Sequence, residues 1–283
     1  MKELKRTPVE IFGHDTSTAS GDLELAVKQQ YCRFIHATCN KPRKSSPQEK
    51  VGICSVASTV AKGEALEPVI VCPQRFKVDS LLETIRQKYL KDWSNVTWIP
   101  EVNIGVGGSI DYVAVELGSR SEILNFQCVE LQAAGTTGTP YPAVIDFKEH
   151  GQFLKDKYNY GINWANEFLK TMMQQAYKKG KIVQSWNRKI VFVIQDVGMR
   201  FILSATDCSL LTKADTQQPV DFCTFRMKWC ENKGWNLVFD QIYSTSVEGI
   251  NRMIGGAGED QYLTEEDFKL NILKKGIQDK LIV

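Results

Sequence analysis

Two apolar segments joined by a short polar turn, between residues 107 and 132, constrain the fold of this chain most. Residues 110–117 and 126–131 each have the length and composition of a β-strand. Side chains alternate between the faces of a strand, so Glu130 and Gln132 share a face. If the two strands are neighbours, Asp111 at the start of the first approaches Glu130 near the end of the second. The segment therefore predicts a strand pair with acidic residues at one end.

The rest of the chain after residue 76 alternates helical and strand patterns. Asp79 is a plausible N-cap for a helix reaching about residue 91. Residues 159–178 keep the apolar spacing of a helix with one buried face, and Gly180 suits its C-terminal stop. The run IVFVI within residues 189–203 and residues 237–243 are strand candidates. This order predicts an α/β fold with a mixed central sheet flanked by helices.

The acidic strand ends have the chemistry of a divalent-metal site. Two carboxylates, Asp111 and Glu130, offer the hard oxygen ligands that Mg²⁺ prefers, and such an ion activates water and phosphate oxygens. Gln132 stands where a lysine would supply charge; its amide can orient a water but carries no charge. Both acids are also compatible with ordinary surface positions. Four other carboxylates compete for the role, namely Glu101, Glu116, Asp146 and Asp196.

The chain has eight cysteines, and four of them, Cys32, Cys39, Cys54 and Cys72, fall near the N-terminus. Four thiolates suit a tetrahedral zinc or iron site, although the gaps are wider than the CxxC pairs of common zinc ribbons. The alternative is that some are buried core thiols. His36 is a possible replacement ligand. Cys223 and Cys230 repeat the first gap, and their aromatic neighbours favour core burial.

Two polar segments are candidates for contact with phosphates. The stretch KPRKSSPQ, residues 41–48, reads as an exposed loop. The basic side chains in and near this loop suit contact with a nucleic-acid backbone. They are Arg33, Lys41, Arg43 and Lys44. A solvated loop fits the same residues equally well. The run GTTGTP, residues 135–140, offers hydroxyls and backbone N–H groups, but it lacks the spacing of a nucleotide-binding loop.

Composition and charge exclude several classes of protein. An apolar content of 43% with 24% charged residues is ordinary for a globular protein and excludes wholesale disorder. The net charge of +2 excludes a protein that coats nucleic acid by bulk charge, but not one with a local basic cleft. No apolar run approaches the roughly 20 residues of a membrane span, and the N-terminus has no signal-peptide core. We expect a cytoplasmic protein with no membrane association.

Several motifs resemble the NotI-type restriction endonucleases. They are the cysteine-bearing segments CRFIHATC, GICS and CPQRF, followed by GSIDYVAVE and VELQAAGTTGTP. The resemblance implies a PD-(D/E)xK nuclease core over residues 76–283, preceded by a four-cysteine metal module over residues 1–75 that contacts DNA. By this resemblance, Cys32, Cys39, Cys54 and Cys72 bind a structural iron, with zinc as the alternative.

The same resemblance implies the activity and the residues responsible. Asp111 and Glu130 correspond to the family's Mg²⁺ ligands, and Gln132 takes the usual place of the lysine. Glu83 is a candidate for the family's helix acid, although no motif fixes it. The implied function is Mg²⁺-dependent cleavage of double-stranded DNA by a homodimer at a palindromic, GC-rich site, without a nucleotide cofactor. The alternatives are a metal-stabilised DNA-binding protein that does not cleave, and a repair or structure-specific nuclease on the same fold.

Overall fold

The computed structural model describes residues 3–17, 20–43, 46–105, 108–213, 217–231 and 234–255. Within these ranges, no helix has the length and apolar character needed to cross a membrane. The strands are β1 (Pro8–Ile11), β2 (His14–Asp15), β3 (Tyr31–Cys32), β4 (Ala37–Thr38), β5 (Pro42–Arg43), β6 (Ser46–Lys50), β7 (Ile53–Ser58), β8 (Glu67–Ile70), β9 (Val96–Asn103), β10 (Ser109–Leu117), β11 (Ile123–Gln132), β12 (Thr136–Gly138), β13 (Tyr160–Ile162), β14 (Ile190–Gln195), β15 (Thr212–Lys213), β16 (Val220–Cys230) and β17 (Gly234–Thr245). The helices are α1 (Gly21–Gln29), α2 (Asp79–Tyr89), α3 (Tyr141–His150), α4 (Met173–Ser185), α5 (Asp196–Ala205) and α6 (Val247–Gly255).

Seven strands form the central sheet, in the order β15-β17-β16-β14-β11-β10-β9. The inner strands β11, β14 and β16 run parallel, and the other neighbours are antiparallel. All six residues of β14 are buried, as expected for an inner strand covered on both faces. The predicted α/β fold with a mixed sheet and flanking helices is confirmed at this level.

The strands extend beyond their predicted limits. The predicted pair is present as β10 and β11, and β11 begins three residues before residue 126. The aromatic segment around Cys223 and Cys230 forms β16, which was not among the predicted strands. Cys223 is buried as predicted, but Cys230, the last residue of this strand, is only half-buried.

The helix predicted over residues 159–178 is wrong at both ends. Its first residues form β13, which pairs with β12, and the helix proper begins as a π-helical segment, Ala165–Met172, that continues directly into α4. Gly180 lies inside α4 and does not end it. A Cβ at this position would stand 2.8 Å from Cγ2 of Val220, so the glycine permits close packing of α4 on the sheet. The helix after residue 78 is present as α2, although Asp79 is its first residue and Val78 is the N-cap.

The N-terminal part forms a separate four-stranded sheet, in the order β2-β1-β7-β8. The prediction that residues 41–48 form a loop is wrong in part, because β5 and β6 pair as an antiparallel hairpin. Lys44 lies outside the described residues.

Hydrogen bonds and apolar contacts join the N-terminal sheet to the central one. The Gln195 side chain accepts from the N–H of Ile70 (2.8 Å) and donates to the carbonyl of Pro68 (2.6 Å). One hydrophobic cluster also includes Phe12 and Leu23 together with Phe192 of β14. The division of the chain at residue 75 therefore stays a prediction.

Candidate active site and four-cysteine cluster

The two strands bring Asp111 and Glu130 together. Tyr112 of β10 pairs with Val129 of β11, so the next residues along, Asp111 and Glu130, stand opposite each other at the end of the ladder. Opposed residues of an antiparallel pair project from the same face. Oδ2 of Asp111 accepts a hydrogen bond from the N–H of Leu131 (2.8 Å), which ties the first carboxylate to the backbone beside the second.

Both carboxylates open onto a cavity of about 530 Å³. Gln132 also lies at its wall, and its Nε2 donates to the carbonyl of Ala133 (2.9 Å). The third predicted residue therefore shares the site with the first two. The lining residues are Gly108, Ser109, Asp111, Glu130, Leu131, Gln132, Gln175, Lys178 and Lys179.

Helix α4 contributes a lysine to this cavity that the sequence pattern did not identify. Nζ of Lys179 lies 2.7 Å from Oε1 of Glu130 and 2.8 Å from the carbonyl oxygen of Ser109. Both side chains of the ion pair are almost fully buried, with 4% of Lys179 and 7% of Glu130 exposed. The available signal was a lysine three residues beyond Ala176 on the buried face of the helix, but the predicted helix ended at residue 178.

Burial governs the electrostatics of Glu130. Loss of solvent raises its pKa to about 7, and the negative charge of Asp111 acts in the same direction. The hydrogen bond and charge of Lys179 oppose this rise. The carboxyl group thus gains or loses a proton near neutral pH before any cation binds.

The competing carboxylates are engaged elsewhere, with one exception. Asp146 accepts a hydrogen bond from the Tyr158 hydroxyl, and Asp196 is paired with Arg226. Glu116 accepts from Asn125 and from the N–H of Ser94.

Glu101 is the exception. The register of β9 and β10 places it across from Asp111, with a φ of 55° in the left-handed region that Glu rarely adopts.

Glu83 does not join the site. Its Oε1 accepts from Nε2 of Gln87 on the same helix, and it lines a different cavity with Trp98.

Two hairpin-like segments bring the four N-terminal cysteines together. Cys32 pairs with Ala37 beside the turn of the β3–β4 hairpin, and Cys39 directly follows β4 at the open end, where its N–H donates to the carbonyl of Gln30. Cys54 and Cys72 are joined similarly, because Val71 donates its N–H to the carbonyl of Cys54 at the end of the β7–β8 hairpin. All four thiols are buried and free of disulfides.

The four thiols also influence one another's ionisation. Burial, followed by the neighbouring Cys72, Glu10, Cys32 and Cys39, raises the pKa of Cys54 well above its ordinary value. Burial raises the pKa of Cys72, and the charge of Lys41 partly offsets that rise. Among the residues that the structure describes, however, no three His, Cys, Asp or Glu side chains are arranged to hold a metal ion. Four reduced thiols in one buried region are the donor type that a soft ion prefers, although their described arrangement does not form such a site.

The basic residues near these cysteines interact within the protein. Arg43 pairs with Glu49 and stacks on Tyr141, and Nζ of Lys41 donates to the carbonyl of Val71. Nη1 of Arg33 donates weakly to the carbonyl of Gly13, at 3.4 Å. The GTTGTP run contributes the short strand β12.

An α/β fold with paired carboxylates over an open cavity fits a hydrolase. A family model narrows this class: that of the restriction endonuclease NotI matches residues 25–216, about two thirds of the chain. The chain therefore belongs to the NotI restriction endonuclease family, whose members are nucleases that cut double-stranded DNA. The match includes the four cysteines, both carboxylates and Lys179. No curated protein matches the chain at a significant level.

Proposed function

We propose that the chain is a Mg²⁺-dependent type II restriction endonuclease with a PD-(D/E)xK core, active in the cytoplasm at a palindromic, GC-rich site. The observation that carries the proposal is the opposition of Asp111 and Glu130 at the end of β10 and β11, above a cavity. Two carboxylates on one face of a sheet offer a Mg²⁺ ion its preferred oxygen ligands.

The residues of the cavity have different roles in the hydrolysis. A bound Mg²⁺ would polarise the phosphate and promote ionisation of water. Asp111 and Glu130 hold the cation, and the amide of Gln132 orients the attacking water by hydrogen bonding. The water oxygen forms a bond to phosphorus as the P–O3′ bond breaks; the water proton passes to solvent and O3′ takes up a proton. The products are a 5′-phosphate and a 3′-hydroxyl.

Lys178 and Gln175 suit contact with the DNA strand. Both line the cavity from α4, and Lys178 is exposed. A lysine beside the cavity can neutralise a phosphate of the substrate and so position the strand without reading its sequence. This role replaces the one expected for Arg43, whose charge is already paired.

Cys32, Cys39, Cys54 and Cys72 would bind a structural iron, with zinc as the alternative. The support is that two hairpins deliver four buried, reduced thiols to one region of the N-terminal sheet. Such a site would fix the β3–β4 hairpin against the β7–β8 hairpin. A homodimer is included in the proposal because a twofold protein matches a palindromic site.

The decisive experiment incubates the purified protein with Mg²⁺ and a long duplex of mixed sequence, followed by sequencing of the fragment ends. Discrete fragments that share one palindromic end sequence are expected. Asp111→Ala and Glu130→Ala should abolish cleavage but retain specific binding in Ca²⁺. Glu83→Ala is the matched control, because Glu83 lies in another cavity, and it should cut normally.

Each contrary outcome has a distinct meaning. Full cleavage by Asp111→Ala overturns the assignment of the active site. Tight specific binding without any nicking would identify a DNA-binding protein. Degradation to nucleotides, or a requirement for forked DNA, would identify a repair or structure-specific nuclease.

A further inference from the structure

Lys179 anchors both strands that carry the carboxylates. Its Nζ bonds to Oε1 of Glu130 on β11 and to the carbonyl oxygen of Ser109, two residues before Asp111 on β10. A single ammonium group thus spans the ends of two neighbouring strands at the level of the carboxylate pair. The surface lysines Lys178 and Lys181 of the same helix do not contribute to these two contacts.

The helix holds Lys179 in place rigidly. Ala176 and Val183, one turn before and one turn after, are fully buried, and Gly180 allows α4 to lie against Val220 of β16. A lysine is rarely buried unless its charge is paired, and here the pairing partner is a proposed metal ligand. The orientation of the Glu130 carboxylate therefore depends on a residue of the helix.

We propose that Lys179 is a positioning residue for the cleavage reaction, acting through Glu130. It holds the Glu130 carboxylate and the start of β10 in the relative geometry that the attacking water and the phosphate require. This inference rests on the proposed function of the site and adds a residue that the motif on the strands does not contain. The strand position next to the second acid carries Gln132, so the buried positive charge of the site comes from α4 instead.

The proposal predicts that metal binding and rate respond in opposite directions. Removing Lys179 frees the Glu130 carboxylate to rotate. A displacement of a reacting or positioning group by about 1 Å can reduce the rate of the chemical step about 100-fold. The same change removes the repulsion between the Lys179 ammonium group and the bound cation, which is strong at such a short distance. Compared at alkaline pH, where Glu130 is ionised in both proteins, metal affinity should therefore stay the same or increase while the rate falls.

The experiment uses Lys179→Met in the full chain. Mn²⁺ binding without DNA is followed by electron paramagnetic resonance, and cleavage of a duplex that the wild type cuts is measured under single-turnover conditions with saturating Mg²⁺. A rate about 100-fold lower, with Mn²⁺ bound at least as tightly as by the wild type, supports the proposal. An unchanged rate overturns it. A lower rate accompanied by weaker Mn²⁺ binding at alkaline pH also overturns it, because that pattern indicates general loss of structure.

Lys189→Met is the matched control. Lys189 forms another largely buried ion pair in the same sheet, 2.9 Å from Asp221, but it does not line the cavity. Its loss should lower thermal stability and leave both Mn²⁺ affinity and the rate per folded molecule unchanged. An equal fall in rate in this control would overturn the specific role of Lys179.

Lys179→Gln covers the case in which the methionine variant does not fold. Glutamine keeps a donor but is one atom shorter, so it cannot span Glu130 and Ser109 together, and a rate loss of about tenfold is expected. A wild-type rate in this variant overturns the proposal. Failure of the wild type to cut any duplex would instead overturn the proposed function, and the two failures are thereby distinguished.

Discussion

Gly180 of α4 lies so close to Val220 of β16 that a Cβ added to the glycine would stand 2.8 Å from Cγ2 of the valine. Val220 is fully buried. The contact sets the distance between the helix and the sheet, and Lys179 reaches Glu130 from the adjacent helical position.

We expect Gly180→Ala to destabilise the protein by about 1–3 kcal/mol, because overpacking of a closed contact outweighs the better helix propensity of alanine. Urea unfolding measures the difference. Gly21→Ala in α1 is the matched control: nothing lies within 4 Å of an added Cβ there, so its stability should stay within about 0.5 kcal/mol of the wild type. If both variants have the wild-type urea midpoint, position 180 accommodates a Cβ without strain and the close contact with Val220 does not limit stability.

The same glycine shows where sequence reasoning failed. Glycine after a helical pattern usually marks a helix end, and local pattern cannot reveal that Gly180 instead faces a strand 40 residues later. The prediction therefore ended the helix at residue 178 and missed Lys179. That Glu130 and Gln132 share a face was predictable, because strand alternation is a local property. The approach of Asp111 to Glu130 was predicted only on the condition that the two strands are neighbours.

Other differences between the sequence-based predictions and the structure involve contacts between residues that are distant in the sequence. Residues 160–162 join a strand because Thr136–Gly138 offers a partner, which no local pattern in a helix-like sequence discloses. β16 was not predicted, although Phe225, Met227 and Trp229 alternate with Arg226 and Lys228 as in a strand with one exposed face. The paired state of Arg43 depends on Glu49 and Tyr141, so its availability to DNA was not predictable from charge alone.

Mg²⁺ binding should depend on pH through Glu130. Burial, first of all, raises the pKa of this carboxyl to about 7 in the metal-free protein, above its ordinary value of 4.5. Below pH 7 a proton competes with the cation, so the half-saturating Mg²⁺ concentration should rise by up to about tenfold per pH unit as the pH falls, and level off above pH 7. Calorimetric titration from pH 5.5 to 8.5, in buffers of different ionisation enthalpy, measures both the affinity and the released proton.

The same shift affects the stability of the metal-free protein. The folded state holds the Glu130 proton more tightly than the unfolded chain does, so this stabilising contribution is complete below pH 4.5 and is lost as the pH rises through 7.

Glu83→Ala should reproduce the wild-type dependence of Mg²⁺ affinity on pH. A flat affinity profile from pH 5.5 to 8.5 would exclude proton competition at Glu130.

The four-cysteine cluster predicts that the metal content of the chain depends on particular thiols. Cys54 is buried and interacts with Cys72, Cys32 and Cys39, whereas Cys223 is equally buried in β16 of the other sheet. The wild type should carry about one iron or zinc ion per chain, as four thiolates bind one tetrahedral ion. Cys54→Ser should lose this metal and melt at a lower temperature, and Cys223→Ser should keep it. Elemental analysis with thermal unfolding measures both effects, and visible absorbance distinguishes iron from zinc. Equal metal content in the two variants would remove the ligand role from Cys54, and a metal-free, fully stable wild type would leave the four residues as core thiols.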